Sequence, residues 1–600
     1  MEQELTRDQV DPRYTWDLTR IFETDEAWEA AFAKARKEAE AFSQYEGTLS
    51  GGTEAVLAAL RAYMGLELSL SELFTYAMMK TNEDGANGKY QALFGRAASL
   101  VSEAEAKAAF LTPELLALPQ ETLEAMIADP AFGEYDVFLR DVLRMKPHTL
   151  SAKEEQLLAA AGEVRGVPEN AADMLYVDLD LGMTRGEDGK KTKLTDARLL
   201  PLLESRDRTV RKAAYTNIMN GYNKLGNTIA ALYAGQVKGD LFASRARGYD
   251  SPRQAALYPD AIDESVYDSL IDAVHGGIGT LNEYLHIKQH RMGLSKLHMY
   301  DLYAQEPTEF DIHPDIDEAF AIFLEAVRPL GEDYVRDASR ALSERWIDVY
   351  ETKNKRGGAY SCGSVHRTTP YVLLNHKKTY DGLSTLCHEM GHAMHSFYSN
   401  KTQPAAKAEY TIFVAEVAST CNEILLSEYL MKQYEGNREA QIMLVGNLLE
   451  HFRTTVFRQT MFAEFEHKAH RMAEADKPLT KDSLCEMYYD LNKLYYGGAC
   501  KVDKEVANEW MRIPHFYSSF YVYKYATGFC AAVALARGIL SGDPEKLAAY
   551  RKFLTLGGSM PPIEELKVAG VDMSTPQPVC EALDYFAELV GVYSGLLAEE

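Results

Sequence analysis

Two histidines and a glutamate stand close together in the sequence His-Glu-Met-Gly-His at residues 388–392. On a helix, residues four apart share one face. His388 and His392 can therefore direct imidazole nitrogens at one metal ion, at ~2.0–2.1 Å. Glu389 projects beside that ion, where it can take a proton from an attacking water and pass it to a leaving amine. The pentad predicts metal-dependent hydrolysis; the alternative is a solvated or hydrogen-bonded histidine pair.

A third metal ligand is expected from the next helix, because a catalytic zinc usually takes three protein ligands and keeps one position for water. Glu416 is the lone acid within the apolar start of that helix. An unpaired buried carboxylate is costly, so a cation is its natural partner. The alternative is an ion pair with Lys or Arg. Glu409 and Glu423 are weaker ligand candidates, although Glu423 could orient one of the histidines.

The residues around the pentad indicate a buried helix. Its apolar neighbours are Leu383, Leu386, Cys387, Met390, Ala393 and Met394. Gly391 is costly within an exposed helix, but it would let a substrate or a neighbouring backbone approach closely. His395 lies one turn beyond His392. We expect it to pack in the interior or to support the site rather than to bind the metal.

Composition excludes several classes of protein. The 600 residues carry 63 Lys and Arg against 89 Asp and Glu, a net charge of -26. Such a surface repels nucleic-acid phosphates and anionic membranes, so we expect neither as a partner. No apolar run is long enough to span a bilayer, and the N-terminus does not resemble a secretion signal, which predicts a soluble protein. The seven scattered cysteines contain no C-x-x-C pair and favour a reducing cytoplasm.

Helical patterns dominate and predict a mainly α fold. Amphipathic stretches cover residues 27–45, 53–80, 204–245, 315–347, 438–473 and 575–598. A hairpin is predicted from the strands 178–181 and 191–194 on either side of Glu187-Asp188-Gly189. We place the boundary between an N-terminal helical region, 1–200, and a catalytic region, 201–600, just after this hairpin.

Two further short strands are predicted upstream of the pentad, at 358–361 and 371–375. Gly358, Ala359 and Tyr360 belong to the first of them. An exposed strand edge there could pair with an extended peptide backbone and bind it without strict sequence preference. The alternative is a glycine-rich surface turn.

Several segments of the chain resemble oligoendopeptidase F, in the thimet oligopeptidase and neurolysin family of zinc metallopeptidases. They are HEMGHAMHS at 388–396, FVAEVAST at 413–420, IPHFYSSFYVYKYATG at 513–528 and the opening YTWDLTRIFETDEAWEAAF at 14–32. Many zinc peptidases share the pentad alone, but the three later segments in this order are much more specific. The Gly358–Tyr360 stretch is also similar to the strand that flanks the substrate in this family.

The resemblance implies one zinc ion per chain, held by His388, His392 and Glu416, with Glu389 as the general base. It implies two helical lobes that enclose a deep active-site channel, with a small β element beside the metal helix. Such a channel would admit short, unfolded peptides and exclude folded proteins. The expected activity is the hydrolysis of internal peptide bonds by metal-activated water.

The segment 513–528 offers hydrogen-bond donors for the oxyanion that peptide hydrolysis creates. Tyr517, Tyr521 and Tyr525 recur every four residues and would share one face of a helix. The alternative is an aromatic stripe packed in the core. The resemblance favours catalysis, because the family uses a histidine and a tyrosine here. His515 matches that histidine, and Tyr525, then Tyr521, are the expected tyrosines.

Two other functions stay open at this point. A metallocarboxypeptidase would use a similar helix within an enclosed channel, and a non-catalytic helical peptide-binding protein could carry the pentad by accident. In every case short peptides are the expected partners, and the sequence does not reveal an oligomeric state.

Overall fold

The computed structural model of the chain describes residues 5–304 and 308–598. It is 72% helical and 3% strand, which confirms the predicted mainly α class. Within the described residues the first thirteen α-helices are α1 (Asp25–Phe42), α2 (Thr53–Glu83), α3 (Gly88–Ala108), α4 (Leu111–Ala117), α5 (Gln120–Ala128), α6 (Asp136–Met145), α7 (Ala152–Arg165), α8 (Val167–Asp178), α9 (Asp196–Leu203), α10 (Arg208–Asn223), α11 (Gly226–Ala246), α12 (Pro252–Leu257) and α13 (Glu264–Arg291).

The described part of the chain continues with helices that include the predicted metal helix. They are α14 (Ile316–Ala326), α15 (Glu332–Ser343), α16 (Tyr380–Thr402), α17 (Ala405–Ala408), α18 (Ile412–Gln433), α19 (Arg438–His451), α20 (Arg458–Glu474), α21 (Lys481–Tyr496), α22 (Tyr523–Leu540), α23 (Pro544–Phe553), α24 (Pro562–Val568) and α25 (Gln577–Ala598). None of the helices in 5–304 and 308–598 is long and apolar enough to cross a bilayer.

Strands are short and form three small sheets among the described residues. The strands are β1 (Met183–Arg185), β2 (Lys191–Lys193), β3 (Leu297–His298), β4 (Ile347–Asp348), β5 (Tyr360–Cys362), β6 (Tyr371–Leu373) and β7 (Cys500–Lys501). β1 and β2 are an antiparallel hairpin, and β3 pairs in parallel with β7. The three-stranded sheet has the order β4-β6-β5, so β5 is an edge strand. It runs antiparallel to β6, with Ser361 opposite Val372.

The predicted hairpin exists, but its first strand lies further along the chain than expected. α8 continues to Asp178, so the residues 178–181 do not form the strand, which begins at Met183. The second strand, 191–193, is where the sequence placed it. The strand predicted at 358–361 also starts later, at Tyr360. Gly358 has φ +81°, a left-handed conformation that is incompatible with an extended strand.

The chain divides into two compact units. Unit 1 comprises residues 1–147, 311–432 and 532–572, and unit 2 comprises 148–310, 433–531 and 573–600. Each unit therefore draws on separate stretches of the sequence. The sequence-based boundary at residue 200 remains a proposal.

The core of unit 1 connects the N-terminal helices to the sheet beside the metal helix. Trp28 of α1 is fully buried and donates its indole N–H to the carbonyl of Leu73 in α2, at 3.0 Å. Tyr371 and Leu373 of β6 belong to the same apolar cluster. This packing fixes α2 and the sheet relative to each other, which matters because both reach the candidate site.

α24 of unit 1 buries a carboxyl group, one oxygen of which lacks a hydrogen-bond partner in the described part of the chain. Glu565 is 1% exposed, and its Oε1 has no hydrogen-bond partner among the described residues. Burial raises the pKa of Glu565 to about 8. A carboxyl whose pKa is higher in the folded than in the unfolded state costs stability as pH rises. The loss of stability begins near pH 4.5, the pKa of the group in the unfolded chain, and is complete above about pH 8.

We expect Glu565→Gln to stabilise the protein at pH 8 and to have little effect at pH 5. One pKa unit corresponds to about 1.4 kcal/mol, and we expect the free energy of unfolding to rise by about 2 kcal/mol at pH 8. Thermal unfolding of both proteins at both pH values measures it. The matched control is the exposed neighbour Glu564, whose ion pair with Lys567 is at the surface and should contribute little to stability. Equal melting shifts at pH 5 and pH 8 would contradict the buried-acid explanation.

Candidate active site

The pentad lies in the middle of α16, whose two ends are set by local sequence. Thr379 caps the helix by accepting a hydrogen bond from the amide of Gly382, at 3.1 Å. The helix ends at Thr402, before Pro404, which cannot continue it. The apolar neighbours that the sequence predicted to be buried are all 0% exposed: Leu383, Leu386, Cys387, Met390, Ala393 and Met394. The face of α16 that carries His388 and His392 is therefore the one that points away from the core.

Gly391 allows α16 and α18 to approach closely. A Cβ at this position would lie 2.5 Å from the Cα of Ser419 and 2.7 Å from the carbonyl oxygen of Ala418. Of the two uses that the sequence left open for Gly391, the structure shows the approach of a neighbouring backbone. Asn422 of α18 also donates to the carbonyl of Cys387 at 3.2 Å, which links the two helices one turn away.

The side chains of His388, His392 and Glu416 converge on one point. The two Nε2 atoms are 3.2 Å apart, and Oε2 of Glu416 lies 3.3 Å from His388 Nε2 and 3.5 Å from His392 Nε2. A tetrahedral ion with bonds of ~2.0–2.1 Å would hold its ligand atoms ~3.3–3.4 Å apart. The separations and the nitrogen and oxygen donors therefore fit one zinc ion. Among the described residues no Lys or Arg pairs with Glu416, so the ion-pair alternative is not seen.

Two neighbours orient this cluster. Nδ1 of His388 is hydrogen-bonded to the carboxylate of Glu423, which can only accept when ionised. Nδ1 therefore carries the proton, and a neutral His388 presents the lone pair of Nε2 to the cluster. Ser419 donates its hydroxyl to Oε2 of Glu416 at 3.1 Å. The orienting role that the sequence suggested for Glu423 agrees with these contacts.

The electrostatics of the cluster favour a positive charge at its centre. Burial acts to raise the pKa of Glu416, but hydrogen bonds from His388 and His392 outweigh it and hold that pKa well below its usual value. Burial lowers the pKa of His388, yet Glu416 and Glu423 together raise it to about 10. The two shifts are mutual, because the carboxylate of Glu416 faces the imidazole of His388 and each group stabilises the charged form of the other. A metal cation can balance the charge of Glu416 and Glu423, as a proton on His388 does.

Glu389 faces the same cavity as the cluster without joining it. Glu389 is 8% exposed. Burial raises the pKa of its carboxyl; His388 and His392 oppose that rise, and Glu416 and Glu423 add to it. The cavity has a volume of about 760 Å³, and its wall includes all three members of the cluster. Ala359 and Tyr360 of the predicted substrate strand also line it, whereas Gly358 does not.

His395 is a packing residue. It is 1% exposed, its ring stacks on Tyr410 with 3.8 Å between centroids, and the tilted ring of Phe553 lies 5.0 Å away. Burial lowers the pKa of His395 to about 3, so the ring is neutral at ordinary pH. The sequence allowed packing as one of two roles, and the structure shows it.

His515 and two of the predicted tyrosines form a separate aromatic cluster in unit 2. The ring centroid of His515 lies 6.5 Å from Tyr521 and 6.0 Å from Tyr525, and the two tyrosines are 5.4 Å apart. Burial lowers the pKa of His515.

The expectation that Tyr517 shares a helical face with Tyr521 and Tyr525 is wrong. A short 3-10 helix ends at Tyr517, and α22 starts only at Tyr523, so the period of four residues is interrupted. Tyr517 is 6% exposed and packs edge-on against Tyr233 at 6.3 Å. Tyr517 is a core residue, which the sequence had named as the alternative.

Comparison with known proteins settles the family. A family model described as peptidase family M3 matches residues 201–585, more than half of the chain. The chain belongs to peptidase family M3. A second model, described as oligopeptidase F, matches residues 114–179.

Relatives within the M3 family match the chain over nearly its whole length. Oligopeptidase PepF of Bacillus subtilis is 40% identical over 593 residues, 98% of this chain and 88% of that protein. The group B oligopeptidase PepB of Streptococcus agalactiae is 36% identical over 99% of this chain and 98% of that one. The crystal structure of oligoendopeptidase F from Enterococcus faecium is 33% identical, with a TM-score of 0.74, and covers 96% and 100% of the two chains. These matches confirm the resemblance inferred from the motifs.

Sequence reasoning missed several residues of the M3 site. Ser419 could have been found, because it lies three positions after Glu416 and so close to it on the helix surface. The hydroxyls of Ser396 and Tyr410, 2.9 Å apart, also line the cavity. α2 supplies a whole wall of it, including Glu67. No local signal marks that wall, since more than 300 residues separate it from the pentad.

We expect Gly391→Ala to disturb the site through the packing of α16 on α18. The new methyl group must push the backbone of Ser419 away, and such overpacking typically costs about 1–3 kcal/mol. Because Glu416 moves with α18, metal content should fall together with the melting temperature, as measured by elemental analysis and thermal unfolding.

The matched control for this substitution is Gly65→Ala in α2, where a Cβ would have nothing within 4 Å. That variant should be neutral or stabilised by up to about 1 kcal/mol. A Gly391→Ala protein with full metal content and unchanged melting would show that the close approach does not set the ligand geometry.

Proposed function

We propose that this M3 peptidase is a zinc-dependent endopeptidase that hydrolyses internal bonds of short, unfolded oligopeptides. The observation that carries the proposal is the triangle of His388, His392 and Glu416 ligand atoms, with sides of 3.2–3.5 Å, on the wall of the cavity that Glu389 also lines. The names of the relatives, oligopeptidase and oligoendopeptidase, support the substrate class.

Zinc fits the three donors as a single ion with one position left open. When bound, it would polarise the scissile carbonyl and make a water more acidic. His388, His392 and Glu416 would hold it, with Glu423 fixing the tautomer of His388 and Ser419 the orientation of the Glu416 carboxylate.

Glu389 acts as the general base in this proposal. His388 and His392 on the same helix would hold the ion, and Glu389 lines the same cavity. There it takes a proton from the attacking water and then gives it to the departing amine, so it ends the cycle ionised as it began. The atoms balance without a covalent enzyme intermediate, and the cysteines are not needed.

His515 and one of Tyr525 and Tyr521 are proposed to hydrogen-bond the developing oxyanion. Their mutual proximity and the similarity of segment 513–528 to the family support this role. A hydroxyl or imidazole N–H donates to the oxyanion more strongly than to the ground-state carbonyl, because the charge is greater. These residues should therefore act on turnover more than on substrate affinity.

β5 is proposed to bind the peptide backbone beside the metal. It is an edge strand, and Ala359 and Tyr360 lie on the cavity wall, so an extended substrate could add to the sheet. Gly358 belongs to the preceding turn, where its carbonyl accepts from the side chain of Asn375 at 2.8 Å. Gly358 would then shape the start of the strand rather than contact the peptide.

A cytoplasmic location is part of the proposal. All seven cysteines, which lie between residues 362 and 580, are free in the structure. Free thiols persist in a reducing compartment.

The general-base role predicts that Glu389→Gln loses at least about 10³-fold in turnover of a fluorescence-quenched peptide. Zinc content should stay near one ion per chain, because the three ligand side chains are unchanged. Glu435→Gln, an exposed substitution of the same type outside the cavity, is the control and should turn over normally. Wild-type turnover by Glu389→Gln would refute the assignment of the base.

Endopeptidase action predicts that amidation of the substrate's C-terminus leaves the cleavage rate within about threefold, since no pocket for a free carboxylate is needed. Mass spectrometry of the products should show cuts at internal bonds. If amidation stops cleavage and single residues leave the C-terminus of the free peptide, the enzyme is a carboxypeptidase instead.

A further inference from the structure

A tight turn in unit 2 connects His515 to Tyr521. The amide of Tyr521 donates to the carbonyl of Ser518 at 3.2 Å, which closes the turn around Ser519 and Phe520. Phe520 has φ +59° at the third position. A type II turn requires this left-handed conformation and normally uses Gly or Asn there. A phenylalanine stays in it only if the surroundings hold the turn.

A partly buried polar network holds the residue before Phe520, and His470 is its fully buried member. Ser519 donates its hydroxyl to Oδ2 of Asp240 at 2.6 Å, and Nε2 of His470 lies 3.2 Å from the same oxygen. The other nitrogen of His470 is 2.9 Å from the carbonyl oxygen of Glu466, one helical turn earlier. Both α11, through Asp240, and α20, through His470, are thereby connected to the turn.

Phe520 itself is fixed by packing. Its residue is 2% exposed, and its ring lies 4.6 Å from the ring of His470 and 5.9 Å from that of Tyr267. The ring of Phe520 is thus held by contacts with α20, which carries His470, and with α13, which carries Tyr267.

The 518–521 turn also fixes the aromatic cluster formed by His515, Tyr521 and Tyr525. The amide of Ser518 donates to the carbonyl of His515 at 2.9 Å, so the turn follows directly on the backbone that carries the histidine. Tyr521 is its last residue, and the ring planes of His515 and Tyr521 are within 18° of parallel. A turn that relaxed to negative φ at Phe520 would redirect Tyr521 relative to His515.

We propose that Ser519, Asp240 and His470 are positioning residues, which hold the 518–521 turn in the conformation that presents His515 and Tyr521 together. The inference rests on the proposed function, which assigns His515 and either Tyr525 or Tyr521 to the oxyanion, and it takes Tyr521 as that tyrosine. The network contacts neither of their rings and acts through the backbone of the turn.

Ser519→Ala is the sharpest test, because it removes one hydroxyl and leaves Asp240 and His470 paired. We expect kcat for the quenched peptide to fall about tenfold, with KM within twofold and zinc content and melting temperature as in the wild type. A phosphinic peptide, which imitates the tetrahedral intermediate, should lose affinity by a similar factor. Ser519→Thr, which keeps the hydroxyl, should restore most of the turnover.

The matched control is Ser518→Ala, which changes the exposed serine immediately before Ser519. Its kcat should stay within twofold of wild type. In combination with Tyr521→Phe, Ser519→Ala should add less than twofold, because both substitutions remove the same donor. Wild-type turnover by Ser519→Ala, or a fully additive loss in the double variant, would overturn the inference. So would a parallel drop in melting temperature and zinc content.

The variants separate this inference from the proposed function. If Glu389→Gln, or His515→Gln and Tyr521→Phe together, turn over normally, the proposed mechanism itself is wrong. If those variants are impaired and Ser519→Ala is not, the mechanism stands and the positioning role is wrong.

Discussion

The contact between α16 and α18 at Gly391 is the constraint on which the metal cluster depends. The histidines belong to one helix and the carboxylate to the other, so the distance between the helices sets the size of the ligand triangle. Glu416 lies three residues before Ser419, whose Cα occupies the space that a Cβ on residue 391 would need. A helix pair separated by one more ångström would leave donor atoms too far apart for bonds of ~2 Å. The apolar faces of α16, buried at 0% exposure, prevent it from tilting to compensate.

The same contact creates an electrostatic problem that a cation solves. Oε2 of Glu416 lies within 3.5 Å of both Nε2 atoms, and Glu423 is hydrogen-bonded to Nδ1 on the far side of His388. The two carboxylates raise the pKa of His388 to about 10, so without a metal a proton on His388 balances part of their charge. A bound divalent ion takes the place of that proton. Metal binding and local stability should therefore be coupled.

Sequence reasoning reached the metal cluster because every part of it follows from helical spacing. His388 and His392 are four apart, and Glu416 is the acid of the next apolar helix. The interrupted helix at 518–522 could not be predicted in this way, since its left-handed residue is a phenylalanine and not a glycine. Tyr517 was consequently grouped with Tyr521 and Tyr525. The wall supplied by α2 depends on the packing of Trp28 and the sheet, which no local pattern expresses.

The two units position their functional groups by different physical means. In unit 1, helix geometry alone places the donors, and close packing fixes the distance between helices. In unit 2, Tyr521 precedes α22 and Tyr525 lies in its first turn, so the cluster lies at the start of a helix, where partial positive charge from the backbone favours an anion. Reaching that place requires the chain to reverse sharply after His515, and the reversal needs an unfavourable φ at Phe520. A buried aromatic ring and an Asp–His–Ser network offset that cost. The aromatic cluster of unit 2 thus depends on interactions far less local than those that bring the ligand triangle of unit 1 together.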